Sequence, residues 1–251
     1  MYRNIEAILF DMGGTLKKPF KKTEDRRRLR MGVRSILSAV DAESTDDEDI
    51  SRYTELLLKR YYNYRKWAAD TLKELKEEEI WTRWMLPEFD KEVVQGRAIE
   101  LNDIFKEMIG ESTLREEAGL VVKELHRRGY RLGIVSNTFS STGTPKLLKE
   151  LQLDRYFDVV MLSSTHGLRK PHPGMITDAL ESLKVKPEHC AFVGDKVDRD
   201  MLAASKAGLA LSVLILNPGK EVAENRSFEE LPDIRPDFII KDLRELLEIF
   251  L

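Results

Sequence analysis

The polarity of the chain changes its period twice. Ala7, Ile8, Leu9 and Phe10 form an apolar run without a polar break, which stops at Asp11. That is the pattern of a short strand buried on both faces. From residue 18 the spacing becomes helical. Leu29, Val33, Ile36, Leu37 and Val40 recur on one face, and a polar segment at 41–49 then joins this helix to the next. Ile50, Tyr53, Leu57, Tyr61, Tyr64, Ala68, Leu72 and Leu75 form one stripe and predict a long helix. Ile80, Trp81, Trp84 and Met85 predict a shorter one that ends at Pro87. A further helix is expected over 91–109, closed by Gly110. Beyond it, helix and strand alternate. Thr113 with Glu116 reads as a capping box for a helix reaching Arg128, with Gly129 at its end. Strands follow at 131–135, 157–162, 190–193, 211–216 and 237–240, and helices at 144–151, 173–183, 199–207 and from 242. This alternation predicts an α/β core, a parallel sheet with helices on both faces. The core takes residues 1–17 and 112–251, and an all-helical insert occupies 18–111.

Polar residues with chemistry to offer gather at the carboxyl ends of these strands, where open α/β sheets bind their ligands. Asp11 ends the first, and Gly13, Gly14 and Thr15 follow as a tight turn able to bring N–H groups close to an anion. Ser136 and Asn137 end the second. After the third comes Lys170, in a loop stiffened by Pro171 and Pro173. Asp195 and Asp200 follow the fourth, where converging carboxylate oxygens suit a hard cation such as Mg2+. Acids at a helix start also favour the dipole, and Asp198 fits that simpler role.

Taken together and in this order, these segments resemble the motifs of the haloacid dehalogenase-like (HAD) hydrolases, whose first motif usually reads Asp-x-Asp-Gly-Thr. The resemblance implies a Rossmann-like core with a helical cap inserted between the first and second strands. It implies an Mg2+-dependent phosphatase in which Asp11 attacks phosphorus and forms an aspartyl-phosphate. Ser136, the N–H of Asn137, and the Gly14–Thr15 turn would hold the phosphoryl group, with Lys170 neutralising its charge. Asp11, the carbonyl of Gly13, Asp195 and Asp200 would form the metal site. The substrate implied is a small phosphorylated metabolite.

One departure matters. The family's second aspartate, which protonates the leaving group and then activates water, is Gly13 here. General acid–base catalysis contributes about 10²–10⁴-fold, so its loss weakens an enzyme without abolishing it. Three readings stay open. The substrate has a good leaving group (an acyl, anhydride or aryl phosphate), or His166 or His172 supplies the proton. Alternatively, the chemistry is like that of the family's phosphonate hydrolase, with a cap lysine such as Lys59, Lys66 or Lys73 forming a Schiff base. The last is a phosphate-binding relative without turnover. A dehalogenase is disfavoured, because Asp195 points to a metal those relatives do not use.

Composition narrows the setting. In 251 residues, 42% are hydrophobic and 34% charged, as expected of a globular protein, and a net charge of −3 argues neither for nor against a polyanionic partner. Cys190 is the single cysteine, which fits a reducing compartment. No apolar run reaches the length of a membrane span or a signal peptide core, so a cytoplasmic protein is expected. The basic run from Lys17 to Arg34 lacks interleaved aromatics and is followed by acids, which argues against nucleic acid. Some of its cations are expected to face the mouth of the site and draw in an anionic substrate.

Overall fold

The computed structural model describes residues 4–41, 43 and 46–251. Strands among them are β1 (Ala7–Phe10), β2 (Lys21–Lys22), β3 (Gly110–Glu111), β4 (Arg131–Ser136), β5 (Val159–Leu162), β6 (Cys190–Gly194), β7 (Leu211–Ile215) and β8 (Phe238–Ile240). Six of them form one sheet in the order β5-β4-β1-β6-β7-β8, all neighbours parallel. β1 is central, with Leu9 beside Gly133 of β4 and Phe192 of β6. That position explains its unbroken apolar run. Ile8 and Phe10 enter one hydrophobic core and Ala7 and Leu9 the core on the opposite face, all four fully buried.

Helices cover both faces. In chain order they are α1 (Arg26–Val40), α2 (Asp47–Thr71), α3 (Glu77–Ile80), α4 (Lys91–Gly96), α5 (Ala98–Ile109), α6 (Ala118–Arg127), α7 (Gly143–Glu150), α8 (Ser163–His166), α9 (Gly174–Leu183), α10 (Leu202–Lys206), α11 (Glu221–Glu230) and α12 (Leu246–Ile249). α6 and α12 pack on the Ile8 side of the sheet, α9 and α10 on the Leu9 side. The Rossmann-like α/β architecture expected from the alternation is the one observed. Among the described residues, no helix is long and apolar enough to cross a membrane.

Helices α1 to α5 gather around a hydrophobic core of their own. Val33, Ile36 and Leu37 of α1 meet Leu57, Tyr64 and Ala68 of α2 and Leu101, Phe105 and Met108 of α5. α1 and α5 approach closely because Gly32 has no side chain; a Cβ there would lie 2.5 Å from Met108 Cγ. Trp81 is buried in this core, and Trp67 and Trp84 pack beside it.

Several boundaries differ from those read off the sequence. The long helix stops at Thr71, because Leu72 adopts a left-handed conformation (φ 55°) that turns the chain, leaving Leu72 and Leu75 outside it. The helix expected over 91–109 is two helices, broken at Arg97 (φ −109°, ψ 5°) after Gly96, a poor helix former. Thr113 and Glu116 do not cap α6, which begins at Ala118. Instead the chain leaving the insert pairs with the chain entering it. The Lys18 N–H donates to the Thr113 carbonyl and the Arg115 N–H to the Leu16 carbonyl, both at 2.9 Å. α11 went unpredicted because its sequence, EVAENRSFEE, carries no apolar stripe.

The insert is docked on the sheet's carboxyl edge by polar groups. Glu74, just beyond α2, is buried and accepts from Arg169, from Tyr64, and from Ser163 Oγ at 2.8 Å. Its N–H donates to the Gly167 carbonyl, and the Arg169 N–H donates to the Leu72 carbonyl, each at 2.9 Å. Breaking a buried ion pair from one side strands the other charge and costs about 3–5 kcal/mol. Glu74→Gln should therefore lower the unfolding free energy by that order in urea titration. A loss below about 1 kcal/mol, the range of exposed pairs, would show that Arg169 finds water or another partner.

Candidate active site

Each strand end delivers its side chain to one place. β1 stops at Asp11, whose N–H is still held by the Val193 carbonyl of β6 at 2.9 Å. The chain then turns at Gly14, with φ 92°. A Cβ on Gly14 would lie 2.1 Å from Asp195 Oδ2, so this position accepts only glycine. Gly13 is the opposite case: nothing lies within 4 Å of where its Cβ would be. Thr15 Oγ1 donates to Asp11 Oδ2 at 3.4 Å.

Lys170 lies buried between two carboxylates. Its Nζ is 2.8 Å from Asp11 Oδ1 and 2.8 Å from Asp200 Oδ1, and it donates to the Val135 carbonyl at 2.6 Å. Asn137 fixes the lysine's backbone from both sides. Its Nδ2 donates to the Lys170 carbonyl and its Oδ1 accepts from the Lys170 N–H, each at 2.8 Å. Ser136 ends β4 and is buried at the edge of the same cavity. Asp200 Oδ2 accepts from the N–H groups of Asp195 and Lys196, both at 3.1 Å. Arg199 then spans the two acids, 3.1 Å from Asp195 Oδ1 and 3.4 Å from Asp200 Oδ1.

Carboxylate oxygens of Asp11, Asp195 and Asp200 lie within 4.8 Å of one another. Three acids face two cations, Lys170 and Arg199, and the imbalance is visible in their acidity. Burial pushes Asp11 up against the pull of Lys170. Burial, then repulsion by Asp11 and Asp200, pushes Asp195 up to about 7. Against the same burial, Arg199 and Lys170 hold Asp200 down at about 2. A divalent cation fits this cluster in charge and in donor type. Asp11, Gly13 and Asp195 line the cavity over this cluster and Asp200 does not, so the two carboxylates and the Gly13 carbonyl are the donors that would hold it.

A cavity of about 370 Å³ opens over these residues, within the range of small-molecule sites. Gly13, Gly14, Ser136, Asn137 and Arg199 line it. The helical insert contributes Arg65 of α2 and Lys106 of α5. Of the basic run at its start, Lys17 lines the cavity, whereas Arg27, Arg30 and Arg34 lie along a separate groove beside Asp47. Burial, then Lys106, holds the Lys17 ammonium below its ordinary value. Burial does the same to Lys106, partly offset by Asp103 and Glu77. The proposed proton donors are elsewhere. His166 pairs with Asp178 at 2.9 Å, His172 accepts from the Gly174 N–H at 3.0 Å, and neither lines the cavity. Lys59, Lys66 and Lys73 are exposed and outside it.

The profile of the haloacid dehalogenase-like hydrolases matches residues 5–208. The chain belongs to this family. It is 26% identical to the glyceraldehyde 3-phosphate phosphatase of Methanopyrus kandleri over 247 residues, 98% of this chain and 97% of the relative. It is 33% identical to the pyrophosphatase PpaX of Bacillus cereus over 128 residues, 51% of this chain and 55% of the relative. In structure it resembles the 2-haloacid dehalogenase of Pseudomonas syringae pv. Tomato DC3000, with a TM-score of 0.68 at 19% identity, covering 98% and 97% of the two chains. The fold is therefore the HAD fold, and the protein is a hydrolase.

Within this HAD site some residues had no signature in the sequence reading. Asn217 donates to the Gly14 carbonyl at 2.9 Å and to Asp195 Oδ2 at 3.3 Å. It lies two residues beyond β7, so the strand-end rule that selected Asp195 would have found it. Arg115 donates to the carbonyls of Thr15 at 2.7 Å and Gly14 at 3.0 Å and reaches Asn217. Nothing in its local sequence marks it. Arg199 lies one helical turn beyond Asp195, a spacing that could have signalled an ion pair.

The acidity of Asp195 sets a pH dependence. Asp195 titrates near 3.8 when exposed and near 7 here, so between those values the folded chain binds the extra proton. This group's contribution therefore lowers metal-free stability as pH rises through that window. A cation needs the carboxylate ionised, so its affinity should fall about tenfold per pH unit below 7. The rise in Tm on adding Mg2+ should be large at pH 8, fade below pH 7, and vanish in Asp195→Asn. An Mg2+ effect that does not change from pH 5.5 to 8 would contradict this.

Proposed function

We infer that this enzyme is an Mg2+-dependent phosphatase that hydrolyses a small phosphorylated metabolite through an aspartyl-phosphate on Asp11. The observation that carries the reading is the buried Asp11 at the floor of the cavity, with Oδ1 held by Lys170 at 2.8 Å and Oδ2 met by Thr15 at 3.4 Å. A carboxylate so anchored keeps one oxygen for attack while the ammonium beside it favours its ionised form. Ser136, the N–H of Asn137 and the Gly14–Thr15 turn receive the phosphoryl oxygens, and Lys170 offsets their charge. Asp11, the Gly13 carbonyl and Asp195 would hold Mg2+, which when bound supplies further positive charge against the phosphoryl group. Asp200, expected as a ligand, is better suited to orienting Lys170 and Arg199. The relatives named as a glyceraldehyde 3-phosphate phosphatase and a pyrophosphatase support a phosphoryl substrate.

Position 13 directs the choice of leaving group. Without an acid there, and with both histidines outside the cavity, turnover favours leaving groups that depart unprotonated. The space around Gly13 admits the missing side chain. With an aryl phosphate and Mg2+, Asp11→Asn should abolish turnover. Gly13→Asp should raise turnover of poor leaving groups such as alkyl phosphates by about 10²-fold or more. Wild-type activity that survives Asp11→Asn would overturn the aspartyl-phosphate.

One observation favours a second reading, a phosphonate-hydrolase-like reaction. Lys106 is a half-buried cap lysine facing the cavity with a lowered pKa, as a Schiff-base amine requires. Borohydride trapping with a carbonyl-bearing phosphonate would label Lys106 under that reading and leave it unmodified under the first.

A further inference from the structure

Three cations line the cavity without a direct ion pair, and the carboxylates of Asp103 and Glu77 act on Lys106 only from beyond ion-pair distance. Lys17 comes from the segment after β1, Arg65 from α2 and Lys106 from α5. Among the described residues, none of their charged groups forms a hydrogen bond or an ion pair. The Lys106 ammonium lies close against Gly143, at the start of α7. Half-buried cations from three separate segments, lining the same cavity as Asp11, make a binding site for an anion larger than one phosphoryl group. Asp11, Ser136 and Lys170 already account for the first phosphoryl group. Position 13, beside the departing atom, carries no acid. The side of the site facing the leaving group therefore offers positive charge and no carboxylic acid.

Building on the phosphatase reading above, we propose that the substrate is a phosphoanhydride whose departing phosphate is held by Lys17, Arg65 and Lys106. In the first step Asp11 attacks the terminal phosphorus, the bridging P–O bond breaks, and its electron pair leaves on the second phosphate, which keeps the proton it already carried. The cations stabilise that departing anion as its charge develops, so no acid is needed. Water then attacks the phosphorus of the aspartyl-phosphate, Asp11 is released as carboxylate, and both water protons leave on the freed phosphate. One anhydride and one water give two phosphates when the substrate is inorganic pyrophosphate.

Hydrolysis of pyrophosphate and adenosine diphosphate is compared with that of acetyl phosphate, whose leaving group is equally undemanding but carries one negative charge on a small carboxylate. The wild type should favour at least one anhydride in kcat/KM. Arg65→Met and Lys106→Met should each lower the anhydride-to-acetyl-phosphate ratio by about ten- to hundredfold, the effect of one charged contact. Whichever anhydride is preferred separates an inorganic from a nucleotide source. A ratio unchanged in both variants, or acetyl phosphate preferred by the wild type, overturns the proposal. Calorimetry with methylenediphosphonate against methylphosphonate reads the same subsite without turnover. Tighter binding of the diphosphonate, lost in the two variants, is expected, and equal binding overturns the subsite. If neither anhydrides nor acetyl phosphate is hydrolysed, the phosphatase reading fails and the calorimetric margin alone decides the subsite.

Discussion

The ammonium of Lys170 lies where three strand ends meet, and the geometry around it follows from the need to keep that charge paired. It has no exposure to solvent, sits 2.8 Å from both Asp11 and Asp200, and lies 4.9 Å from the centre of the Phe192 ring. An ammonium stranded there would cost several kcal/mol. So the ends of β1, β4 and β6 must stay in register for Asp11, the Val135 carbonyl and the segment carrying Asp200 to reach it. Asn137 holds the same loop by its backbone, and Arg169, one residue earlier, carries the constraint outward to Glu74 in the helical insert. The charge chemistry of the site and the seating of the cap thus share one short segment of chain.

Two adjacent glycines after Asp11 show how differently one residue type can be used. At Gly14 a side chain would collide with Asp195, so the glycine is a requirement of packing. At Gly13 the surroundings are open, so packing does not demand the glycine. A reading confined to the backbone would treat the two alike. Their surroundings separate them, and on the proposal above the cations that reach in from the insert take the place of the acid absent at position 13.

How far the site was legible follows from how each residue is placed. Asp11, Ser136, Lys170 and Asp195 each end or closely follow an apolar run, and a strand's carboxyl end is a location local sequence can reveal. Arg65 and Lys106 lie on helices whose faces are set by packing in a second core, and no local pattern tells which of a helix's cations turns inward. Some cations of the basic run were expected at the mouth, and among the described residues of that run Lys17 lines the cavity, while Arg30 pairs with Asp47. The unused capping box at Thr113 has a tertiary cause. Tertiary pairing, here between the two chains that connect insert and sheet, outweighed a local preference worth about 1 kcal/mol.

Those two connecting chains have a consequence for how the molecule can vary. Lys21 and Lys22 pair antiparallel with Glu111 and Gly110, and Lys17 with Leu114. Seen from the sheet, the insert is the tip of a ribbon whose two ends are already held together. The entropy of closing such a loop grows only with the logarithm of its length. Below the ribbon, the sheet is largely indifferent to how much chain lies above it. A lineage can therefore lengthen, shorten or exchange the tip, and with it the groups that select a substrate, provided the new chain still brings an acid to the buried Arg169.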